Sequence, residues 1–139
     1  MHKNPSLLKR NQEHFLQVRV FEHLEFEMPE IYDLTYAIPN GGLRSNKTAG
    51  DILAEGLKKG YPDTALDAAR GIYHGFRCEI KTNVRTRTEN QIEYADKLRA
   101  QGYCVVFCYG FEAVIAAFEE YWNLAAGGVM SQFDYRSKK

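Results

Sequence analysis

The segment Phe76-Arg77-Cys78-Glu79-Ile80-Lys81, together with the helix and strand that follow it, decides the fold of this chain. Successive side chains of a strand point to opposite faces, so Glu79 and Lys81 project from the same face. A helix predicted from Thr88 to about Gln101 comes next, and then the continuous apolar run Tyr103–Cys108, typical of a strand covered on both faces. A strand, a helix and a second strand in this order predict a right-handed parallel crossover.

The chain before this strand is predicted to form its antiparallel neighbour. Short apolar runs flank a stretch that is broken by Gly71 and Gly75. With the bend centred near Gly71, Asp63 lies directly opposite Glu79, and opposed residues share a face. Opposed carboxylates destabilise a sheet unless a cation lies between them. The register therefore predicts that Asp63 and Glu79 hold a hard divalent ion.

The remaining elements predict a single α/β domain with a mixed sheet. Helical patterns are expected over about Leu7–Glu25, from Asn46 or Thr48 to Lys59 with Gly60 at its end, and over Phe111–Trp122. Residues 31–38 are expected to mix turn and strand. The core is predicted at about 7–122, and 123–139 is expected to be a C-terminal tail or a dimer arm.

Composition bounds the class of protein. The chain has 139 residues, of which 45% are hydrophobic, and this suits one domain with a buried core. Its 18 basic and 18 acidic residues cancel, so any affinity for nucleic acid must come from a local basic patch. The sequence shows neither a membrane span nor a signal peptide, so we expect a cytoplasmic protein without a membrane partner. Its three cysteines lack the spacing of a disulfide framework or zinc site and are expected to be buried and reduced.

The chemistry that these residues predict is phosphodiester hydrolysis. That reaction needs a nucleophilic water and neutralisation of developing negative charge, which a divalent ion supplies. Asp63 and Glu79 are the predicted ligands, with the Ile80 backbone carbonyl as a third oxygen; magnesium is preferred and manganese is expected to substitute. Lys81 is expected to orient the water or stabilise charge on the phosphate. Taken singly, a Glu-x-Lys strand is usually a solvated ion pair and Pro-Asp a common turn.

The order Glu13, Pro62-Asp63, Glu79-x-Lys81 and Gln91 resembles the PD-(D/E)xK nuclease superfamily, and specifically its virus-type replication-repair nuclease family. Further stretches that look like this family are Ile38–Arg44, Lys58–Asp63 and Gln101–Tyr103. The resemblance covers most of Glu13 to Trp122. It implies a restriction-endonuclease-like mixed sheet flanked by α-helices, and a dimeric, metal-dependent nuclease of bacterial or phage-infected cells that acts on branched DNA.

The resemblance also assigns roles to individual residues. It makes Asp63 and Glu79 metal ligands and Lys81 catalytic. Glu13 matches an acid of the first helix that reaches the metal through water or a second ion, and Gln91 matches a glutamine that supports the active site. Other interpretations stay open for the last two. A glutamate such as Glu13 near the start of a helix is favoured by the helix dipole, and Thr88-x-x-Gln91 matches a capping box.

Basic residues flank the predicted site in three segments and are expected to bind DNA phosphates; they are Arg44 and Lys47, Lys58 and Lys59, and Arg85 and Arg87. Each alone is as readily a solvated surface charge. No base-reading motif is visible, so recognition of DNA shape is expected.

The leading hypothesis is a magnesium-dependent endonuclease for branched DNA, such as four-way (Holliday) junctions, in DNA repair. A homodimer would supply the two sites that symmetric cutting of such a junction needs. Two alternatives remain: a sequence-preferring restriction-type or nicking nuclease, and a non-catalytic DNA-binding module that retains the fold.

Overall fold

The computed structural model describes residues 5–39, 49–82 and 86–138. Strands are Thr35–Ala37 (β1), Thr64–Leu66 (β2), Phe76–Lys81 (β3), Cys104–Tyr109 (β4) and Asp134–Arg136 (β5). Helices are Pro5–Glu27 (α1), Pro29–Asp33 (α2), Ala49–Ala54 (α3), Glu89–Ala100 (α4) and Phe111–Trp122 (α5). The strands form one sheet in chain order, antiparallel from β1 to β3 and parallel from β3 to β5. The predicted mixed α/β sheet flanked by helices is confirmed.

The register between β2 and β3 is the one that the bend at Gly71 predicts. Thr64 pairs with Cys78, so the next position along the ladder sets Asp63 opposite Glu79. Gly71 has a φ of +56°, a conformation that glycine adopts without steric cost. The backbone therefore brings the two acids to the same end of the β2–β3 pair.

The sheet separates two clusters of buried side chains. Phe76, Cys78 and Ile80 point into the larger cluster, where they pack with side chains of α1 and α5. The smaller cluster joins Val105, Phe107 and Tyr109 of β4 to Ala95, Leu98 and Tyr103. Alternation along β3 therefore puts Glu79 and Lys81 on the α4 face of the sheet. The three cysteines are free and buried, as expected.

Two local predictions differ from the structure. The short helix α3 ends at Ala54 rather than Lys59, because Gly56 follows with a φ of +99° and its N–H closes the last turn onto the Leu53 carbonyl. The segment 31–38, expected as turn and strand, begins with the end of helix α2, which Pro29 opens at a position where proline is tolerated. The strand β1 follows it.

The C-terminal segment, expected to be a tail or a dimer arm, instead contributes strand β5. Tyr135 pairs with Cys108 and is buried in the larger cluster with Met130. Glu120 of α5 fastens this segment, because its carboxylate accepts hydrogen bonds from Ser131 N–H, Ser131 Oγ and Tyr135 Oη. The folded core of the described chain therefore extends past residue 122. None of the described helices has the length and apolar character needed to cross a membrane.

Candidate active site

Two carboxyl groups meet at the junction of β2 and β3. Glu79 is buried, with 3% of its surface exposed, and its carboxyl shares a hydrogen bond with that of Asp63. Asp63 Oδ2 also accepts a hydrogen bond of 2.9 Å from the Ile80 N–H. The backbone of one strand thus orients the acid that precedes the other strand.

The groups around Glu79 favour a cation that lies between its carboxylate and that of Asp63. Burial raises the pKa of Glu79 well above its ordinary value, and the neighbouring Asp63 raises it further, whereas the Lys81 ammonium lowers it. Two carboxylates this close repel each other, and a cation between them removes that repulsion. The pair therefore fits a divalent cation, which would let both groups carry their charge.

The backbone beside this pair provides a third oxygen. In an extended strand the N–H and C=O of one residue point to the same side, so the Ile80 carbonyl faces the end of β2, as its N–H does. Extending the register sets Pro62 opposite Ile80. Proline has no N–H, so it cannot donate a ladder hydrogen bond to that carbonyl. This all-oxygen donor set, formed by two carboxylates and a carbonyl, is the type that magnesium and manganese prefer.

Gln91 makes the contacts that both interpretations of it require. Its Oε1 accepts the Thr88 N–H at 2.9 Å while Thr88 Oγ1 accepts the Gln91 N–H at 3.2 Å, which completes the capping box of α4. Its Nε2 donates to Glu79 Oε2 at 2.9 Å. Because the cap occupies the amide oxygen, the amide nitrogen is directed at the carboxylate.

Lys81 completes the cluster. It follows Glu79 on the same face of β3 and is 2% exposed. Its positive charge acts on the Glu79 carboxyl. The structure thus brings together Asp63, Glu79, Lys81 and Gln91, four of the five residues predicted to be catalytic.

Glu13 lies on α1, whose buried side chains Leu16, Val20 and Leu24 belong to the larger cluster on the other face of β3. Within the described ranges, no three Asp, Glu, His or Cys side chains converge as a metal-binding group. The role of Glu13 as an acid that reaches the metal through water or a second ion stays a prediction.

The predicted DNA-binding residues are only partly described. Lys58 and Lys59 are exposed on the turn that leads to Asp63, and Arg87 is 41% exposed just before α4, 3.9 Å from Asp134. Arg44, Lys47 and Arg85 lie outside the described residues.

A buried arginine that the sequence analysis did not single out supports the site. Arg77 lies on the α4 face of β3, where its Nε donates to Tyr61 Oη at 3.2 Å and its guanidinium lies 4.8 Å from the centre of the Tyr103 ring. Its Nη1 lies 3.4 Å from Asp67. Tyr61 also packs edge-on against Tyr94 of α4. A charged residue inside a buried strand needs such partners, and this was the signal available in the sequence.

Gly60 brings the approach to Asp63 close to α4. Its φ is +83°, and a Cβ added there would lie 2.3 Å from the Asn90 carbonyl oxygen and 2.8 Å from the Gln91 nitrogen. Only glycine allows this approach. The turn that carries Asp63 and the helix that carries Gln91 are therefore in direct backbone contact.

Comparison with known proteins agrees with this geometry. The chain is similar to a solved structure described as a VRR_NUC domain protein, with 31% sequence identity and a TM-score of 0.72. The match covers 87% of this chain and 96% of that chain. No family model matches the chain, and no curated protein matches it. The similarity extends over most of the fold rather than over the carboxylate motif alone.

Proposed function

The chain belongs to the virus-type replication-repair nuclease family of the PD-(D/E)xK superfamily, and we propose that it is a magnesium-dependent endonuclease that cuts branched DNA. The observation that carries this proposal is the close approach of two carboxyls, those of buried Glu79 and half-buried Asp63, with the Lys81 ammonium on the same face as Glu79. Two carboxylates this close repel each other and cost stability, and a cation bound between them would offset that cost.

Asp63, Glu79 and the Ile80 carbonyl would hold the ion. When bound, a divalent ion neutralises charge on the phosphate and activates a water. The chain's own groups do the rest: Gln91 keeps the Glu79 carboxylate oriented through its 2.9 Å hydrogen bond, and the Lys81 ammonium orients the attacking water or stabilises the phosphate. Because Lys81 is buried, its charge acts at short range with little screening by solvent.

We propose that DNA approaches along the basic segments beside this site. Lys58 and Lys59 precede Asp63, and Arg87 precedes α4; Arg44, Lys47 and Arg85 would extend the same surface. Since the net charge of the chain is zero, affinity must come from such a local patch. Phosphate contacts without a base-reading motif favour recognition by shape, and therefore branched substrates such as four-way junctions.

The described part of each chain holds one such carboxyl pair, which would serve as one cleavage site. Symmetric cutting of a four-way junction needs two sites related by a twofold axis, so we propose that the active form is a homodimer. Such an activity belongs to DNA repair, in the cytoplasm of a bacterial or phage-infected cell. Sedimentation of the protein alone and on a junction tests the dimer.

The direct test is cleavage. The protein is incubated with a four-way junction, a nicked duplex and a linear duplex, in magnesium, manganese or EDTA, beside Lys81→Met as the inactive control. We expect metal-dependent cutting of the junction that Lys81→Met abolishes. Defined cut positions on linear duplex, insensitive to branching, would support a restriction-type or nicking nuclease instead. Tight DNA binding with no cutting in any metal would support a non-catalytic module.

A further inference from the structure

The α4 face of the sheet continues past the active site onto the strand that the sequence did not predict. Lys81 of β3, Tyr109 of β4 and Arg136 of β5 are paired in one row. Residues paired across parallel strands share a face, and each strand adds about 4.8 Å. The Cα atom of Arg136 therefore lies roughly 10 Å from that of Lys81, and both side chains project from the same face at the same end of the sheet.

Two arginines from separate elements converge at this place. Arg136 Nη2 lies 3.5 Å from Asp134 Oδ2, and Arg87 Nη1 lies 3.9 Å from the same oxygen. Arg136 donates one long hydrogen bond to this oxygen and Arg87 lies beyond hydrogen-bond range, so Asp134 attracts both guanidiniums without saturating their donors. Two positive groups and one negative group leave a net positive charge at the surface.

Aromatic rings of β4 hold both guanidiniums. Arg136 lies over the ring of Tyr109 at 3.9 Å from its centre, and Arg87 lies over Phe107 at 5.2 Å. Both rings are 2% exposed and so fixed in the core, while the two arginine side chains keep 59% and 41% of their surface exposed. Stacking preorganises a guanidinium without using its N–H groups, which form a fork that matches a phosphate.

We propose that Arg136 and Arg87 together bind a phosphate of the substrate strand adjacent to the scissile one. The DNA strand would then run from the carboxyl pair on β3, past the end of β4 where Arg136 covers the buried Tyr109 ring, to β5. This inference rests on the proposed function, because it extends the same surface. It assigns a ligand-binding role to β5 and distinguishes Arg136 from an arginine that only pairs with Asp134 to fasten the last strand.

The test is DNA binding by fluorescence anisotropy in EDTA, over a series of salt concentrations, with a labelled four-way junction. Arg136→Gln and Arg87→Gln are each expected to weaken binding about tenfold, the loss typical of one charge-assisted contact. The slope of log affinity against log salt should fall by about one for each arginine. The matched control is Arg99→Gln, because Arg99 also lies over an aromatic ring, Phe133, and beside an acid, Asp96, at the other end of β4. If Arg136→Gln binds like this control, the proposal is wrong.

Asp134→Asn separates phosphate binding from fastening of the strand. If the trio only fastens β5, removing its acid should weaken DNA binding as the arginine substitutions do. If the arginines bind phosphate, loss of a neighbouring negative charge should leave the affinity equal to or higher than that of the wild type. Weaker binding by Asp134→Asn would overturn the proposal even where Arg136→Gln fails to fold. Because binding is measured without metal, a protein that binds in this manner but cuts nothing would refute the nuclease proposal alone.

Discussion

Gln91 Nε2 donates a hydrogen bond of 2.9 Å to Glu79 Oε2, while the rest of the Gln91 side chain and backbone closes the capping box with Thr88. One residue thus caps the start of a helix and contacts a carboxylate of the candidate active site. This coupling means that stability and activity can be separated by substituting the two capping residues one at a time.

Thr88→Ala should lower the free energy of unfolding by about 1 kcal/mol, because it removes the side chain that caps α4. Gln91→Ala keeps the bond to Thr88 Oγ1, which the backbone N–H of residue 91 donates, but removes the reciprocal bond from the Thr88 N–H to Oε1 and also the contact with Glu79. We therefore expect a similar loss of stability but at least a tenfold larger loss of metal-dependent cleavage for Gln91→Ala. Urea unfolding and single-turnover cleavage of a junction measure the two effects. Equal cleavage by the two variants would contradict a positioning role for Gln91.

Gly60→Ala should destabilise the protein more than the same change at Gly56. Both glycines have positive φ, at +83° and +99°, so both substitutions meet the backbone cost of about 1–2 kcal/mol. A Cβ at Gly60 would also lie 2.3 Å from the Asn90 carbonyl oxygen, whereas nothing lies within 4 Å of one at Gly56. The difference in unfolding free energy between the variants measures the clash. Since that clash moves the turn before Asp63, only Gly60→Ala should also reduce cleavage.

The pairing of Asp63 with Glu79 could be predicted because two short apolar runs flank Gly71, and the strands pair with a register centred on that residue. Strand β5 could not, because Asp134-Tyr135-Arg136 has one apolar residue and no alternating pattern. The Arg77 partners could not either, since Tyr61 and Tyr103 come from segments whose contact with β3 depends on the packing of α4. Strand periodicity and register thus predicted the clustering of Asp63, Glu79 and Lys81, the resemblance added Gln91, and only the folded chain reveals what holds them.

Arg77→Met should lower the cleavage rate of the folded protein, beyond what the loss of folded protein explains. Methionine keeps the length of the buried side chain but loses the hydrogen bond to Tyr61 and the charge beside Asp67, a loss of about 1.5–3 kcal/mol. Arg70→Met is the control, because Arg70 also stacks on an aromatic ring, Trp122 at 4.0 Å, and donates to a carbonyl. It should lower stability but leave the cleavage rate of the folded protein unchanged. If Arg77→Met cleaves like the wild type well below its melting temperature, the hydrogen bond from Arg77 to Tyr61 does not hold the turn that carries Asp63.

Glu120 should make the attachment of the C-terminal segment sensitive to acid. Burial acts to raise its pKa, but the hydrogen bonds from Ser131 and Tyr135 outweigh burial and hold the pKa below its ordinary value of 4.5. A carboxyl with a lowered pKa contributes stability that is complete above its unfolded pKa and is lost as pH falls through the folded one. We expect Glu120→Gln to be less stable than wild type at neutral pH and the difference to shrink in acid. Thermal melts across this range measure it, and a constant difference would rule out this role of the carboxylate.

Glu79→Gln should separate the effect of the Glu79 carboxyl on stability from its role as a metal ligand. A glutamine there can accept the Gln91 hydrogen bond and donate one to Asp63, so the contacts of the site are kept. In EDTA we therefore expect a melting temperature at or above that of the wild type, because a buried carboxyl has been removed. Adding magnesium or manganese should raise the melting temperature of the wild type, since a ligand of the native state stabilises it, and should leave Glu79→Gln unchanged and inactive. Equal stabilisation of the two proteins by metal would show that the ion binds elsewhere and would remove Glu79 from the ligand set.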